Sequence, residues 1–213
     1  MRTAITTYPA TLEIDYPKQL NRLTTLFRLI WAIPIFAVLA ILTGSGGGDY
    51  KNEAGKHMAS NGGGIVMGLA VATALMILFR QRYPRWWFDF NLELNRFSAR
   101  VGAYLLLLTD QYPSTAEEQS VHLNIDYPNV EKDLSSWLPL VKWLLAIPHY
   151  IALAFLAVGV LFTTVIAWFA ILFTGQYPKS LFDFAVGVGR WSIRVEAYAL
   201  LLTTDKYPPF SLK

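Results

Sequence analysis

Two segments carry charged side chains at helical spacing within otherwise apolar sequence, and they hold the residues best placed to do chemistry. Asp89, Glu93, Arg96, Arg100 and Tyr104 share an arc of about 80° on a helical wheel. Asp183, Arg190, Arg194 and Tyr198 occupy the matching arc of a later segment, with Gly187 where the first has Glu93. Phe97, Val101 and Leu105 flank the first stripe, and Trp191, Val195 and Ala199 the second. A narrow charged stripe on an aromatic body suits a helix lying in the lipid headgroup layer. The candidate site residues are therefore Asp89, Arg96, Arg100, Asp183, Arg190 and Arg194. Three chemistries fit them. The arginines could hold phospholipid headgroups, the two stripes could face each other as a buried ion-pair network, or they could line an anion site or conduction path.

Other chemistry finds little support. The chain has no cysteine, which excludes disulfides, thiolate metal sites and thiol catalysis. His57, His122 and His149 have no second histidine or glutamate at ligand spacing, so neither a metal nor a cofactor is expected. No phosphate-binding loop or nucleophile elbow occurs, and Gly187-Val188-Gly189 lies inside a helical pattern rather than after a strand. His149 reads as a packing or interfacial residue, not a base. A net charge of +3 argues against nucleic acid as a partner. The chain is expected not to be an enzyme.

The elements that would position the stripes recur in order. Leu12-Glu13-Ile14-Asp15-Tyr16-Pro17 returns as Leu123-Asn124-Ile125-Asp126-Tyr127-Pro128, and Ala32-Ile33-Pro34 as Ala146-Ile147-Pro148. Tyr83-Pro84 with Phe88-Asp89-Phe90 returns as Tyr177-Pro178 with Phe182-Asp183-Phe184. Arg96 through Tyr104 matches Arg190 through Tyr198, and both copies run through Leu and Thr to an aspartate and a Tyr-Pro. The sequence thus reads as two repeats, 1–113 and 114–213. The spacing from Pro34 to Tyr83 is 49 residues against 29 from Pro148 to Tyr177, and the excess of 20 falls on a glycine-rich loop, 43–64. Its Gly55-Lys56-His57-Met58-Ala59-Ser60 resembles a cloning scar, so an engineered insertion and a natural exposed loop both fit.

Hydropathy then sets the class. Of 213 residues, 54% are hydrophobic and only 15% charged, where a soluble domain carries about a quarter. The apolar residues gather in blocks, 20–42, 65–79 and 137–173. The last, 37 residues long, gives roughly 55 Å of helix, near the length of two crossings of a core about 30 Å thick. The expected fold is mainly α and integral to the membrane. It has two parallel internal repeats, each a short strand, a transmembrane helical hairpin and an interfacial amphipathic helix. The hairpins are expected at 20–79 and 137–173, the amphipathic helices at 86–109 and 180–203, and the second strand at 121–126. The two strands could pair into a small sheet, and Pro34 and Pro148 should kink their helices. Lysines and arginines flank each hairpin while its inner turn has few, which places the protein in the plasma membrane, multi-pass, with both termini cytoplasmic. The first nine residues have no apolar stretch, so no leader is expected to be cleaved. Tyr-Pro occurs seven times and reads as a helix stop carrying an interfacial anchor.

Asp-Tyr-Pro, Ala146-Ile147-Pro148-His149, Thr174-Gly175-Gln176-Tyr177-Pro178, Leu181-Phe182-Asp183-Phe184, Arg190-Trp191-Ser192 and Tyr207-Pro208-Pro209-Phe210-Ser211-Leu212 resemble an uncharacterised bacterial membrane-protein family, domain of unknown function 4389. The second half fits that pattern better than the first, which has the glycine loop and Ile35 in place of the histidine. The resemblance implies a four-helix prokaryotic membrane protein and brings no activity or site residues. The expected role is a structural or accessory subunit of a homo-oligomer or of a larger membrane complex, with membrane lipids and other subunits as partners. A small transporter or channel using Asp–Arg pairs near the interface is the alternative.

Overall fold

The computed structural model describes residues 8–35, 49–51, 57–59, 65–115 and 117–213. The readings made on residues 1–7, on most of the glycine-rich loop and on the far end of the first apolar block lie outside these residues.

Alternation of apolar and polar side chains gives two short strands, β1 (Ala10–Ile14) and β4 (Val121–Ile125). They pair antiparallel with Leu12 opposite Leu123. Ala10, Leu12, Val121, Leu123 and Ile125 are buried on one face, while Glu13, His122 and Asn124 are exposed on the other. Between the strands in sequence lie α1 (Arg22–Leu26), α2 (Arg28–Trp31), the short pair β2 (Asp49–Lys51) and β3 (His57–Ala59), α3 (Ile65–Arg80) and α4 (Arg85–Leu105). After β4 come α5 (Val130–Asp133), α6 (Pro139–Leu145), α7 (Ile147–Thr174) and α8 (Lys179–Ala199).

Two 21-residue helices grip the sheet: α8 packs on β1 and α4 on β4. Each starts directly after a Tyr-Pro, with Pro84 or Pro178 in extended conformation at the cap. Proline has no N–H to leave unsatisfied there, which suits it to a helix start. Gly189 lets α8 approach closely, since a Cβ there would stand 3.1 Å from Leu12 Cδ2. Beyond the ends of α4 and α8 the chain turns through left-handed leucines, Leu107 (φ 63°) and Leu202 (φ 57°). This conformation costs a leucine about 1–2 kcal/mol. It is held because both side chains are buried, at 3% and 2% exposure.

The expected pair of transmembrane hairpins is not found among the described residues. Among the described residues one helix, α7, is long and apolar enough to cross a membrane. Its 28 residues rise about 42 Å without turning back. The physical reason lies in its composition: between His149 and Thr174 Gly159 is the lone glycine, and there is no proline, asparagine or aspartate to build a turn. The helix stops where a left-handed residue is available, at Gly175 (φ 76°), whose N–H bonds Ile171 O at 2.8 Å. In the first half, α3 has 16 residues and about 24 Å of length, short of a crossing. Among the described residues the two halves therefore do not fold as equal membrane units, which contradicts the expected multi-pass repeat fold. The argument for cytoplasmic termini rested on lysines and arginines flanking two hairpins, and one membrane-length helix among the described residues does not support that topology. Pro148 also sits at the start of α7, after a break at Ala146, and not inside a kinked span.

Candidate functional site

Where matched sequence segments meet, polar groups converge twice on the same plan. Arg28, 2% exposed, comes from α2 and reaches the turn that follows α4. Its Nη1 donates to Tyr104 O at 2.7 Å and to Thr109 O at 2.6 Å, and its Nη2 pairs with Asp110 Oδ1. The guanidinium lies 4.4 Å from the Tyr104 ring centre. Asp110 Oδ2 in turn accepts from Asn21 N–H at 2.6 Å. In the second half Lys142, fully buried in α6, reaches the turn after α8. Its Nζ donates to Thr204 O at 2.8 Å, pairs with Asp205 Oδ1 at 2.7 Å and lies 5.2 Å from the Tyr198 ring centre. Asp205 Oδ2 accepts from Ser135 N–H at 2.6 Å. Burial pulls the pKa of both cations down, and the neighbouring aspartates oppose that pull. Each clamp ties the start of an apolar helix to the end of an amphipathic one.

The sequence-predicted stripes are not joined to each other. Asp89 pairs with Arg85 (3.3 Å) and Asp183 with Lys179 (2.7 Å), each one helical turn away and more than half exposed. Arg96 pairs with Glu93 at 2.6 Å. No aspartate–arginine pair forms within either predicted set among the described residues. The arginines instead bind backbone carbonyls. Asp15 N–H bonds Ser120 O and Asp126 N–H bonds Pro9 O, which makes Leu12 and Leu123 a pair whose carbonyls point away from the partner strand. Arg190 Nε donates to Leu12 O at 2.9 Å and Arg96 Nε to Leu123 O at 3.0 Å, so each open sheet edge is capped by an arginine. Arg100 Nη1 donates to Ser114 O at 2.5 Å. Arg194 Nη2 donates to Ser211 O and Lys213 O, both at 2.8 Å.

The tyrosines of the Tyr-Pro motifs stitch the halves together. Tyr16 OH donates to Tyr177 O and Tyr127 OH to Tyr83 O, both at 2.5 Å. Tyr83 OH donates to Leu201 O at 3.1 Å and Tyr207 OH to Leu145 O at 3.2 Å. These hydroxyls are spent on carbonyls, where the sequence reading had them wet at an interface. His149 is buried, stacked 4.0 Å from Phe210, and its Nδ1 accepts from Trp191 Nε1 at 3.0 Å. No group of three His, Asp or Glu side chains that could hold a metal occurs among the described residues.

Sequence reasoning missed the clamps. Neither Arg28 nor Lys142 is among the predicted site residues. The signal was available: a cation six residues before each Ala-Ile-Pro proline, and a Thr-Asp after each amphipathic segment.

The class this defines is a helix-rich chain in which one helix of membrane length among the described residues, α7, packs on α8, and α8 in turn packs on a small antiparallel sheet. Residues 139–211, which hold α6, α7, α8 and the Lys142–Asp205 clamp, match the family model described as Domain of unknown function (DUF4389). The match lies in the second half and covers about a third of the chain. No curated protein and no solved structure was found to match the chain.

Proposed function

We propose that the chain is a non-enzymatic, membrane-attached protein with a structural or accessory role, seated on lipid through α7 and assembled with itself or with other membrane proteins. The observation that carries this reading is the exposure of α7. Its most apolar stretch has a mean hydropathy of 2.5, yet only 17% of it is buried. A core helix would be covered, and this one leaves Phe155, Leu161, Phe162 and Phe173 more than 60% exposed. Leu29, Trp31, Trp137 and Trp143 add exposed apolar surface outside α7, far more than a monomer leaves in water. Clamps and tyrosine bonds hold a rigid body behind that surface, as a scaffold needs. The rival transporter reading rests on Asp–Arg pairs, and it loses support because Asp89 and Asp183 pair locally on the surface.

Expression of the full chain in a bacterial host followed by alkaline carbonate washing of the membranes tests the attachment. The wild-type chain is expected to stay with the lipid. Leu161→Lys with Phe162→Lys should release it, since a lysine at membrane depth costs about 2.5–3.5 kcal/mol. Quantitative release of the wild-type chain by carbonate would overturn the reading.

A further inference from the structure

We propose that Glu196 and the side-chain oxygens of Asn91, Asn95 and Ser98 form a binding site for a small monovalent cation, which a proton on Glu196 displaces. These residues line one cavity of about 40 Å³ between α3, α4 and α8. That is room for a dehydrated ion or a few water-sized groups, not for an organic ligand.

The polarity of the lining follows from its hydrogen bonds. Asn91 Nδ2 donates to Trp87 O and Asn95 Nδ2 to Asn91 O, both at 2.9 Å. A carbonyl cannot face a carbonyl, so these bonds fix the amide orientation and leave both Oδ1 atoms as unused acceptors. Ser98 Oγ spends its hydrogen on Leu94 O at 2.9 Å, leaving lone pairs only. Thr73 Oγ1 donates to Leu69 O and accepts from Trp87 Nε1, both at 2.8 Å, so it is already engaged. What remains is a set of oxygen acceptors, together with the second N–H of each amide. Asn91 and Asn95 are 5% and 7% exposed, so bulk water does not serve them freely. Oxygen ligands of this kind suit hard cations. A single carboxylate balances one positive charge.

Glu196 itself makes no side-chain hydrogen bond or ion pair among the described residues, and burial pushes its pKa up to about 7. Among the described residues Tyr150 of α7 is the one titratable group that faces it; the lining residues of α3 and α4 are all uncharged, as are its own-helix neighbours in the wall, Ser192 and Leu200. Near neutral pH a proton and a cation can therefore compete for the same carboxylate. An open groove along α7, past Tyr150, Leu153 and Ala157, borders Glu196 on the other side and gives a route in.

The site also sits where the matched segments stop matching. Arg96 and Arg190 are 94 apart, and the same offset relates Asn91 to Ala185, Asn95 to Gly189 and Glu196 to Gly102. Three departures from the shared pattern thus meet around one cavity. Packing alone does not explain a carboxylate there, since a Cβ at Gly102 would find open space and the fold tolerates glycine at that position.

The test uses the full chain in mild detergent at pH 8, with N-methylglucamine chloride holding ionic strength constant while NaCl or KCl is titrated. Thermal melting and sodium-23 NMR relaxation are read together. The expected result is a saturable rise in Tm and a saturable relaxation increase. Their apparent affinity should weaken about tenfold for each pH unit below pH 6, as a proton takes the site. Glu196→Gln should abolish both signals, and Asn95→Leu should weaken them. Equal effects of N-methylglucamine, a non-saturating response, or unchanged sodium binding in Glu196→Gln would overturn the proposal. If Glu196→Gln does not fold, the wild-type pH dependence decides: sodium relaxation that is flat from pH 8 to pH 5 contradicts the site.

Discussion

At the scale of single residues, Arg28 and Lys142 organise the molecule, because each is a cation withdrawn from water and answered by one aspartate. Removing one partner of a buried pair costs about 3–5 kcal/mol, mostly for the charge left behind. The two partners are not equally placed: Lys142 is wholly covered, while the Asp205 side chain is 24% exposed. Asp205→Asn strands a buried ammonium, whereas Lys142→Met leaves a carboxylate that water can reach. Urea unfolding at pH 7 should therefore show Asp205→Asn as the more damaging change, and equal losses would contradict this account of the clamp. Glu196 titrates the other way from an ordinary surface carboxylate. Its folded pKa, about 7, lies above its unfolded value, so the folded state binds the proton more tightly. Stability should fall as pH rises from about 4.5 through 7 when no binding cation is supplied. Glu196→Gln should flatten that slope in melts run in N-methylglucamine chloride. The clamp partners are far apart in sequence, Arg28 and Asp110 by 82 residues, so only the repetition of both members in the two halves hints at them. The composition shows that a cation sits in apolar sequence, and only the fold shows what answers it.

At the scale of elements, the sequence is legible where a period or a breaker speaks. Alternation in Ala10–Ile14 and Val121–Ile125 signals strands, and the Tyr-Pro pairs mark where α4 and α8 begin. The 137–173 block was misread because an apolar run reports its solvent and not its path. Dividing its length by a bilayer thickness supplied a turn for which the block past Pro148 offers only Gly159. The stripes were misread for a related reason: a helical wheel gives a face, but the face of Arg96 and Arg190 meets strand carbonyls and not lipid. Arg100 and Arg194 hold different carbonyls and share no partner, so the stability losses of Arg100→Gln and Arg194→Gln should add within about 0.5 kcal/mol in the double variant. Glycines separate packing from propensity. At Gly102, inside α4, an added Cβ meets nothing within 4 Å, so Gly102→Ala should stabilise by about 0.5–1 kcal/mol. At Gly187, inside α8, the Cβ would stand 2.8 Å from Leu212 O and 2.9 Å from Leu212 Cβ. Gly187→Ala should therefore destabilise by about 1–3 kcal/mol as the tail is pushed off. Thermal melts of the two variants, moving in opposite directions, check the packing of α8.

At the scale of the whole molecule, the two halves exchange polar contacts and differ in their apolar parts. Tyr16 of the first half bonds Tyr177 of the second, Tyr127 of the second bonds Tyr83 of the first, and the sheet takes one strand from each. Neither half can keep its body without the other. Yet 28 residues of membrane-length helix stand in the second half and 16 residues of α3 in the first. The account is thus a sheet-and-helix body with, among the described residues, one long apolar helix, for whose exposed surface we propose a non-aqueous neighbour. The absence of cysteine makes this directly measurable, since one introduced cysteine carries one spin label. Nitroxides placed in turn at Phe155, Val158, Phe162, Ile166 and Phe173, in protein reconstituted into phospholipid vesicles, can be read for collision with oxygen and with a water-soluble nickel chelate. The account predicts that oxygen outcompetes the chelate along these exposed positions, most strongly at Phe162 near the helix midpoint. Ready access of the nickel chelate to Phe162, at the level found for a label on exposed Asn124, would contradict it.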